Sequence, residues 1–248
     1  MLQLGMKSDL GQMRSANEDS YLARTAAFSG KEWAILAIAD GVGGHRAGDV
    51  ASRTAINCLE EEVLAALREE TAPLLALEMA IRRANRAVYD LAVSDFRLAG
   101  MGTTLTAALL TPDELFIGHV GDSRLYLYRD GICRQLTNDH SLVSELVRNG
   151  ELSPEEARVH PQRNVLLRAV GIDTDLEIDL LTSAIKPDDI VLIASDGLFS
   201  LLDDATLAAH LATEHDLQAA AEKLVASANE LGGHDNISVV LARWGWSK

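Results

Sequence analysis

The sequence lacks the features that would direct the chain to a membrane or out of the cell. It has no apolar run approaching the ~20 residues that a membrane helix needs. Its start, Met1 to Asp9, lacks the charged and then apolar layout of a secretory signal. We therefore expect a soluble globular protein in the cytoplasm, without a membrane partner.

Cysteine and basic residues are both scarce, which excludes two further classes of site. Cys58 and Cys133 are the only cysteines in 248 residues. They can neither build a disulfide framework nor supply a zinc site, so we interpret both as core or near-core residues. The formal net charge is −15. Nucleic acid is excluded as a partner because phosphate backbones are held by clustered Lys and Arg, which are absent.

A Pro- or Ser-rich linker and an internal repeat are also absent, so a single domain over residues 1–248 is the simplest organisation. Apolar stripes at helical spacing predict three helices, within residues 51–67, 77–92 and 217–231. Short aliphatic segments bounded by Gly, Asp or Asn predict buried strands around residues 33–39, 103–110, 114–120, 124–129, 176–182, 189–194 and 236–242.

The order of these elements favours an α+β fold. Strands come from both halves of the chain, two helices fall early and one or two fall late, and single strands do not alternate with helices. We predict a four-layer α-β-β-α sandwich of two antiparallel sheets flanked by helices. The polar segment at about residues 141–164, with Pro154 and Pro161, predicts short helices and loop, the composition of a mobile flap beside a site.

Carboxylates stand at the ends of two predicted strands. The aliphatic run 33–39 ends at Asp40-Gly41, and the run 190–194 ends at Ser195-Asp196-Gly197. A carboxylate in this place is a rigid oxygen ligand, and glycine allows a turn sharp enough for a backbone carbonyl to face the same ion. A simple turn explains either Asp-Gly pair alone. The two together indicate a site.

Further carboxylates lie at similar junctions: Glu18 and Asp19, Asp122 and Asp235. Each has an alternative explanation, respectively a solvated loop, a hairpin corner and a turn after two glycines. Carboxylates that converge on one place remain ionised only if cations lie between them. No Cys or His pair at zinc spacing accompanies them, so a magnesium or manganese site fits better than zinc.

Six motifs then appear in order along the chain. They are Arg14 with Asn17-Glu18-Asp19, Asp40-Gly41-Val42-Gly43-Gly44-His45, Gly102-Thr103-Thr104, Gly121-Asp122-Ser123-Arg124, Ser195-Asp196-Gly197 and Gly233-His234-Asp235-Asn236. Each is weak alone, but the ordered set resembles the metal-dependent protein phosphatase family, the protein phosphatase 2C type, in its compact bacterial form. The resemblance runs from about Gly11 to the last strand.

The resemblance implies a site for two or three Mn²⁺ or Mg²⁺ ions. Asp40 would bridge two metals, with the Gly41 carbonyl on the first, while Asp196 and Asp235 would hold the second. Asp122, sharing Asp196, would hold the third metal found in bacterial members. Two cations about 3.5–4 Å apart can orient a bridging water for in-line attack on a phosphate monoester and lower its pKa towards neutrality.

Three other matched residues would act around these ions. Asp19, and less directly Glu18, would act on the first metal through water. Arg14 would bind the phosphate, because its planar fork of donors can contact two phosphate oxygens and balance the charge that develops in the transition state.

The resemblance leaves the proton donor to the leaving group open. His45 is the candidate because imidazole titrates near neutral pH. Many eukaryotic members place a histidine directly after the Asp-Gly pair, where this chain has Val42, so a metal-bound water could serve instead. His234, beside Asp235, is the second candidate. The remaining matched segments and histidines are interpreted as structural, namely Gly102-Thr103-Thr104, Asp139-His140-Ser141, His119, His160, His210 and His215.

The implied activity is hydrolysis of phosphoserine and phosphothreonine in proteins by a monomer that opposes bacterial Ser/Thr kinases. Two alternatives stay open. One is a phosphatase dedicated to a small phosphoprotein that controls a sigma factor, but such enzymes often carry sensor domains, for which the chain has no room. The other is a phosphoprotein-binding module that has lost catalysis. Loss of a bridging aspartate would favour it, yet Asp40, Asp196 and Asp235 are all present.

Overall fold

Strands open and close the chain, and helices occupy two stretches between them. The computed structural model describes residues 2–42 and 47–245. Its strands are β1 (Leu2–Asp9), β2 (Asp19–Phe28), β3 (Lys31–Val42), β4 (Gly102–Thr103), β5 (Leu105–Leu110), β6 (Glu114–Val120), β7 (Arg124–Arg129), β8 (Ile132–Gln135), β9 (Asp179–Ala184), β10 (Ile190–Ala194) and β11 (Ile237–Trp244). Its α-helices are α1 (Ala47–Arg68), α2 (Pro73–Ser94), α3 (Leu142–Arg148), α4 (Pro154–Val159), α5 (Asp196–Phe199), α6 (Asp204–Thr213) and α7 (Leu217–Glu230).

The strands form two antiparallel sheets. The first has the order β1-β11-β10-β7-β8, and the second has the order β2-β3-β5-β6-β9, with β4 added beside β3. The first and last strands of the chain are neighbours, since Leu2 pairs with Trp244 and Asp9 with Ile237. This pairing brings the N-terminal segment beside the last motif of the sequence.

Three apolar layers hold the sheets and helices together. The strand β3 shows how, because Trp33, Ile35 and Ala37 face α1 and α2, whereas Leu36 and Ile38 face the other sheet. A strand alternates its side chains between two faces, so a continuous apolar run is expected where both faces are covered. The outer face of the first sheet packs against α5, α6 and α7. The architecture is the predicted α-β-β-α sandwich.

The three predicted long helices are confirmed as α1, α2 and α7, and the predicted strands are present with shifted ends. The largest shift is at 176–182, because the observed strand β9 begins at Asp179 and ends at Ala184. Leu176 precedes the strand and packs into the α1–α2 core, so its apolar character does not reflect sheet pairing. The edge strands β1 and β2 were not predicted; many of their residues are partly or fully exposed, which weakens the aliphatic pattern.

The segment at residues 141–164 contains two short helices, α3 and α4. Ser141 caps α3 and Ser153 forms a capping box with Glu156 at the start of α4. The base of the segment is closed by an antiparallel bridge between Ser141 and Leu166. Within the part of the chain that the structure describes, no helix is long and apolar enough to cross a membrane.

Candidate active site

Strand pairing brings the acidic motifs to one end of the sandwich. Asp19, the first residue of β2, lies directly opposite Asp40 in β3. In the other sheet, Ala194 at the end of β10 pairs with Arg124, and Asp196 lies two residues after the end of β10. Asp122 and Asp235 each lie two residues before a strand of that same sheet. The five carboxylates therefore meet at the ends of strands from both sheets.

The backbone of Asp40 is held by two threonines. Its N–H donates to Thr104 Oγ1 at 2.9 Å, and its carbonyl accepts from Thr104 N at 2.8 Å and from Thr103 Oγ1 at 2.9 Å. The Thr104 hydroxyl thus replaces a backbone carbonyl at the gap between β4 and β5. Because Thr104 is 1% exposed, water does not compete for these bonds. The sequence interpretation of this motif as structural missed its direct hold on Asp40.

Position 41 requires glycine because the backbone at the start of α1 passes very close to it. A side-chain carbon at this position would lie 2.2 Å from the carbonyl oxygen of Gly48, in the first turn of α1. The Gly41 N–H donates to the Glu18 carbonyl at 3.1 Å. Only glycine allows α1 and the Glu18 segment to approach β3 this closely.

The carboxylate of Asp19 is oriented by a buried serine from the other sheet. Ser195 Oγ donates to Asp19 Oδ2 at 2.8 Å and accepts from the N–H of Ser238 at 2.9 Å. Ser195 is completely buried and directly precedes Asp196. This one hydroxyl therefore links the Asp19 carboxylate in one sheet to the Asp196 turn in the other.

The remaining acidic residues have charged neighbours. Arg14 Nη2 lies 2.5 Å from Asp235 Oδ2, and the other oxygen of Asp235 accepts from the N–H of Asn236 at 2.8 Å. Near Asp122, Arg124 makes a bidentate pair with buried Asp139, at 2.7 Å for Nη2 and Oδ2. Arginine is suited to both contacts because its planar fork of N–H groups matches a carboxylate.

Burial and mutual repulsion raise the pKa values of four of these carboxyl groups, those of Asp19, Asp40, Asp122 and Asp196. Each residue keeps part of its surface in contact with solvent, but its carboxyl group lies deep in the site. Burial, followed by the charges of the other aspartates, raises the pKa of Asp40 and of Asp196 well above the ordinary range. Burial raises the pKa of Asp19 and of Asp122 to about 6. The carboxyl groups therefore bind either protons or metal cations, because both reduce the negative charge of the site.

The donor set fits hard divalent cations. Asp19 Oδ1 and Asp196 Oδ1 are buried and have no hydrogen-bond partner. A buried carboxylate oxygen without a partner is costly, and Mg²⁺ and Mn²⁺ prefer oxygen ligands. Across residues 2–42 and 47–245, no three acidic, histidine or cysteine side chains are arranged so that they could hold a metal ion as they stand. Two of the candidates are engaged elsewhere, Asp235 with Arg14 and Asp19 with Ser195.

The predicted histidine donors have different positions. His45 lies outside the described residues. His234 is exposed beside Asp235. His119 and His140 are buried, and His140 accepts from the N–H of Gly121 at 3.1 Å, in keeping with a structural role. Burial lowers the pKa of His119 to about 4. Of the two cysteines, Cys133 is buried and Cys58 is half-buried, as expected.

Comparison with known proteins gives one consistent result. Residues 12–236 match the family described as Protein phosphatase 2C. The chain is 40% identical over 242 residues to the serine/threonine phosphatase stp of Listeria innocua, which covers 95% of this chain and 93% of that protein.

Solved structures give the same answer at the level of the fold. The chain is similar to the Mycobacterium tuberculosis serine/threonine phosphatase PstP/Ppp, with a TM-score of 0.86, 37% identity and 99% of each chain covered. It is also similar to the catalytic domain of PstP in complex with two manganese ions, with a TM-score of 0.83, 36% identity, and 98% of this chain and 97% of that one covered. The chain belongs to the protein phosphatase 2C family.

Proposed function

We propose that the five aspartates at the ends of the two sheets hold two or three Mn²⁺ or Mg²⁺ ions for the hydrolysis of phosphoserine and phosphothreonine in proteins. As a member of the protein phosphatase 2C family, the chain is a protein serine/threonine phosphatase, and its substrates are phosphoproteins. The observation that carries the proposal is that these carboxylates stand at one end of the two sheets beside one arginine, and that the pKa values of Asp19, Asp40, Asp122 and Asp196 are raised.

Each aspartate has a proposed place in this site. Asp40 would bridge two ions, with the Gly41 carbonyl on the first, and Asp196 and Asp235 would hold the second. Asp19 would act on the first ion through water, as would Glu18 less directly. Asp122 would share a third ion with Asp196. The partnerless oxygens of Asp19 and Asp196 support these assignments, since they are the groups that gain most from a cation.

Bound divalent cations would supply a nucleophilic water at neutral pH and offset the charge of the phosphate. The residues of the chain do the rest. Arg14 would leave Asp235 and bind two phosphate oxygens. His45, or the exposed His234 beside Asp235, would donate the proton to the serine or threonine leaving group. The threonines behind Asp40 would keep its carboxylate fixed while charge develops.

The biological setting is proposed on the same basis. We expect a single domain over residues 1–248 with a mobile flap at about 141–164, acting as a cytoplasmic monomer that opposes a Ser/Thr kinase. The net charge of −15 argues against nucleic acid as a partner. Neither the dedicated sigma-factor phosphatase nor the inactive binding module is favoured, because the similar proteins are named as Ser/Thr phosphatases.

The test is phosphate release from a phosphothreonine peptide in the presence of Mn²⁺, with and without EDTA. Wild type should release phosphate and EDTA should stop it. Asp40→Ala should abolish turnover, whereas Asp113→Ala, an exposed aspartate in the turn after β5, should leave it unchanged. Full activity in Asp40→Ala would remove the bridging role, and activity of wild type in EDTA would remove the metal site.

A further inference from the structure

Both polar groups of the Asn236 side chain form hydrogen bonds to one loop. Its Nδ2 donates to the carbonyls of Leu10 and Ala16, each at 3.0 Å, and its Oδ1 accepts from the N–H of Glu18 at 2.8 Å. The residue is 5% exposed. Three satisfied bonds at a buried amide form a rigid anchor, because breaking any one of them leaves a polar group without a partner.

The loop in question, which we call the arginine loop, comprises residues 10–18 and connects β1 to β2. Leu10 and Ala16 lie on either side of Arg14, so one amide pins both legs of the loop that presents this side chain. Residues 12–16 are exposed, so packing against the core does not hold them in place. Other bonds anchor the start of the loop, such as Gln12 N to Gly233 O at 2.7 Å. Asn17 Nδ2 also donates to Ser8 Oγ at the end of β1, at 2.8 Å. Asn236 holds both legs of the loop at once, through Leu10 and Ala16.

Asp235, which directly precedes Asn236, pairs with the guanidinium of Arg14 at 2.5 Å. Consecutive residues of the last motif therefore contact the arginine loop in two ways, with Asp235 at its tip and Asn236 at its base. An amide suits this position because it supplies two donors and an acceptor, whereas Asp offers no donor and Ser offers a single donor.

We infer that Asn236 is a positioning residue for phosphate recognition, which acts by fixing the arginine loop and thereby the guanidinium of Arg14. This inference rests on the proposed function of Arg14. A long arginine side chain on an unanchored loop would lose orientational freedom each time it bound phosphate. Displacement of such a group by about 1 Å can cost up to about 100-fold in a reaction that depends on its position.

The experiment measures inorganic phosphate, the product, as an inhibitor of the Mn²⁺-loaded protein and as a ligand in calorimetry. Asn236→Ala should weaken phosphate binding about tenfold, with a smaller change in Mn²⁺ affinity. In the Arg14→Ala background the same substitution should add less than about twofold, because residues that act as one unit are not additive. Additive effects would overturn the inference, since Asn236 would then act without Arg14.

A matched control separates positioning from general destabilisation. Asn85 is also buried, at 2% exposure, and its amide holds a loop by bonds to Asp173 O and Gly171 N. Asn85→Ala should lower the melting temperature but leave phosphate affinity within about twofold of wild type. An equal loss of phosphate affinity in Asn85→Ala and Asn236→Ala would overturn the inference.

Two further measurements keep the test valid if Asn236→Ala does not fold. Asn236→Asp keeps the size and the acceptor but loses both donors, and should weaken phosphate binding in the same way. In wild type, the amide of Glu18 should be protected from hydrogen exchange, and free exchange there would contradict the anchor directly. If wild type releases no phosphate from peptide, the proposed function fails instead, whatever the exchange result.

Discussion

Arg14 and Asp235 form an ion pair, with Nη2 of the arginine 2.5 Å from Oδ2 of the aspartate. The residues are 221 positions apart in sequence, and both belong to the proposed reaction site, one for phosphate and one for a cation. A metal ion that binds Oδ2 of Asp235 would compete with the guanidinium of Arg14 for the same oxygen. Phosphate recognition and cation binding are therefore coupled at this pair.

We predict opposite effects of Arg14→Ala on the two ligands. Phosphate affinity should fall about tenfold or more because two charge-assisted hydrogen bonds are lost. Mn²⁺ affinity should rise about three- to tenfold because Asp235 is freed and a neighbouring positive charge is removed. Electron paramagnetic resonance of free Mn²⁺ and phosphate inhibition measure the two quantities. Weaker Mn²⁺ binding in this variant would contradict the coupling.

Arg14→Lys is the matched control for charge. Lysine keeps the positive charge but lacks the planar fork, so it should bind phosphate with an affinity between those of wild type and Arg14→Ala. Its Mn²⁺ affinity should stay near that of wild type. If Arg14→Lys binds phosphate as well as wild type, charge alone explains the role of the arginine.

The gain in melting temperature on adding Mn²⁺ should increase with pH. A carboxyl group whose pKa is raised by folding stabilises the fold below about pH 4, and that contribution is lost as the pH rises through its folded pKa. For Asp19 and Asp122 this pKa is about 6, and the pKa values of Asp40 and Asp196 are also raised. The metal-free protein thus retains uncompensated repulsion at high pH, which cations remove.

The measurement compares melting temperatures in EDTA and in Mn²⁺ from about pH 5.5 to about pH 8, where the difference should grow by about 5 °C or more. Burial favours the neutral form of His119 and lowers its pKa to about 4. The contribution of His119 to stability therefore changes with pH in the opposite direction, since it is lost as the pH falls below about 6.5. Its contribution is present with and without Mn²⁺ and so cancels in the difference. A difference that does not depend on pH would contradict the prediction.

Thr104→Val should reduce both stability and Mn²⁺ affinity. The substitution removes the acceptor for the Asp40 N–H and leaves that buried donor without a partner. The free energy of unfolding should fall by about 1–3 kcal/mol, as measured by urea denaturation. Thr104→Ser, which keeps the hydroxyl, should retain most of the Mn²⁺ affinity. Equal losses in both variants would contradict a specific role of the hydroxyl, because the threonine methyl group would then matter as much.

The sequence predicted the layers and the acidic residues of this protein for identifiable reasons. The helices α1, α2 and α7 carry apolar stripes that local spacing reveals, and Asp40 and Asp196 each directly precede a glycine at or just beyond a buried aliphatic run. Both signals are local in the chain. The edge strands β1 and β2 escaped prediction because pairing partners far away in sequence, and not their own composition, define them.

The residue pattern alone predicts which oxygen ligands are available and that they stand at strand ends. How these ligands are held depends on the three-dimensional fold, because the anchoring bonds join residues from separate elements. Ser195 reaches Asp19 across the two sheets, Thr104 replaces a carbonyl opposite Asp40, and Asn236 joins both ends of the arginine loop. Such contacts depend on strand register and on the approach of two sheets, which no local pattern of residues encodes.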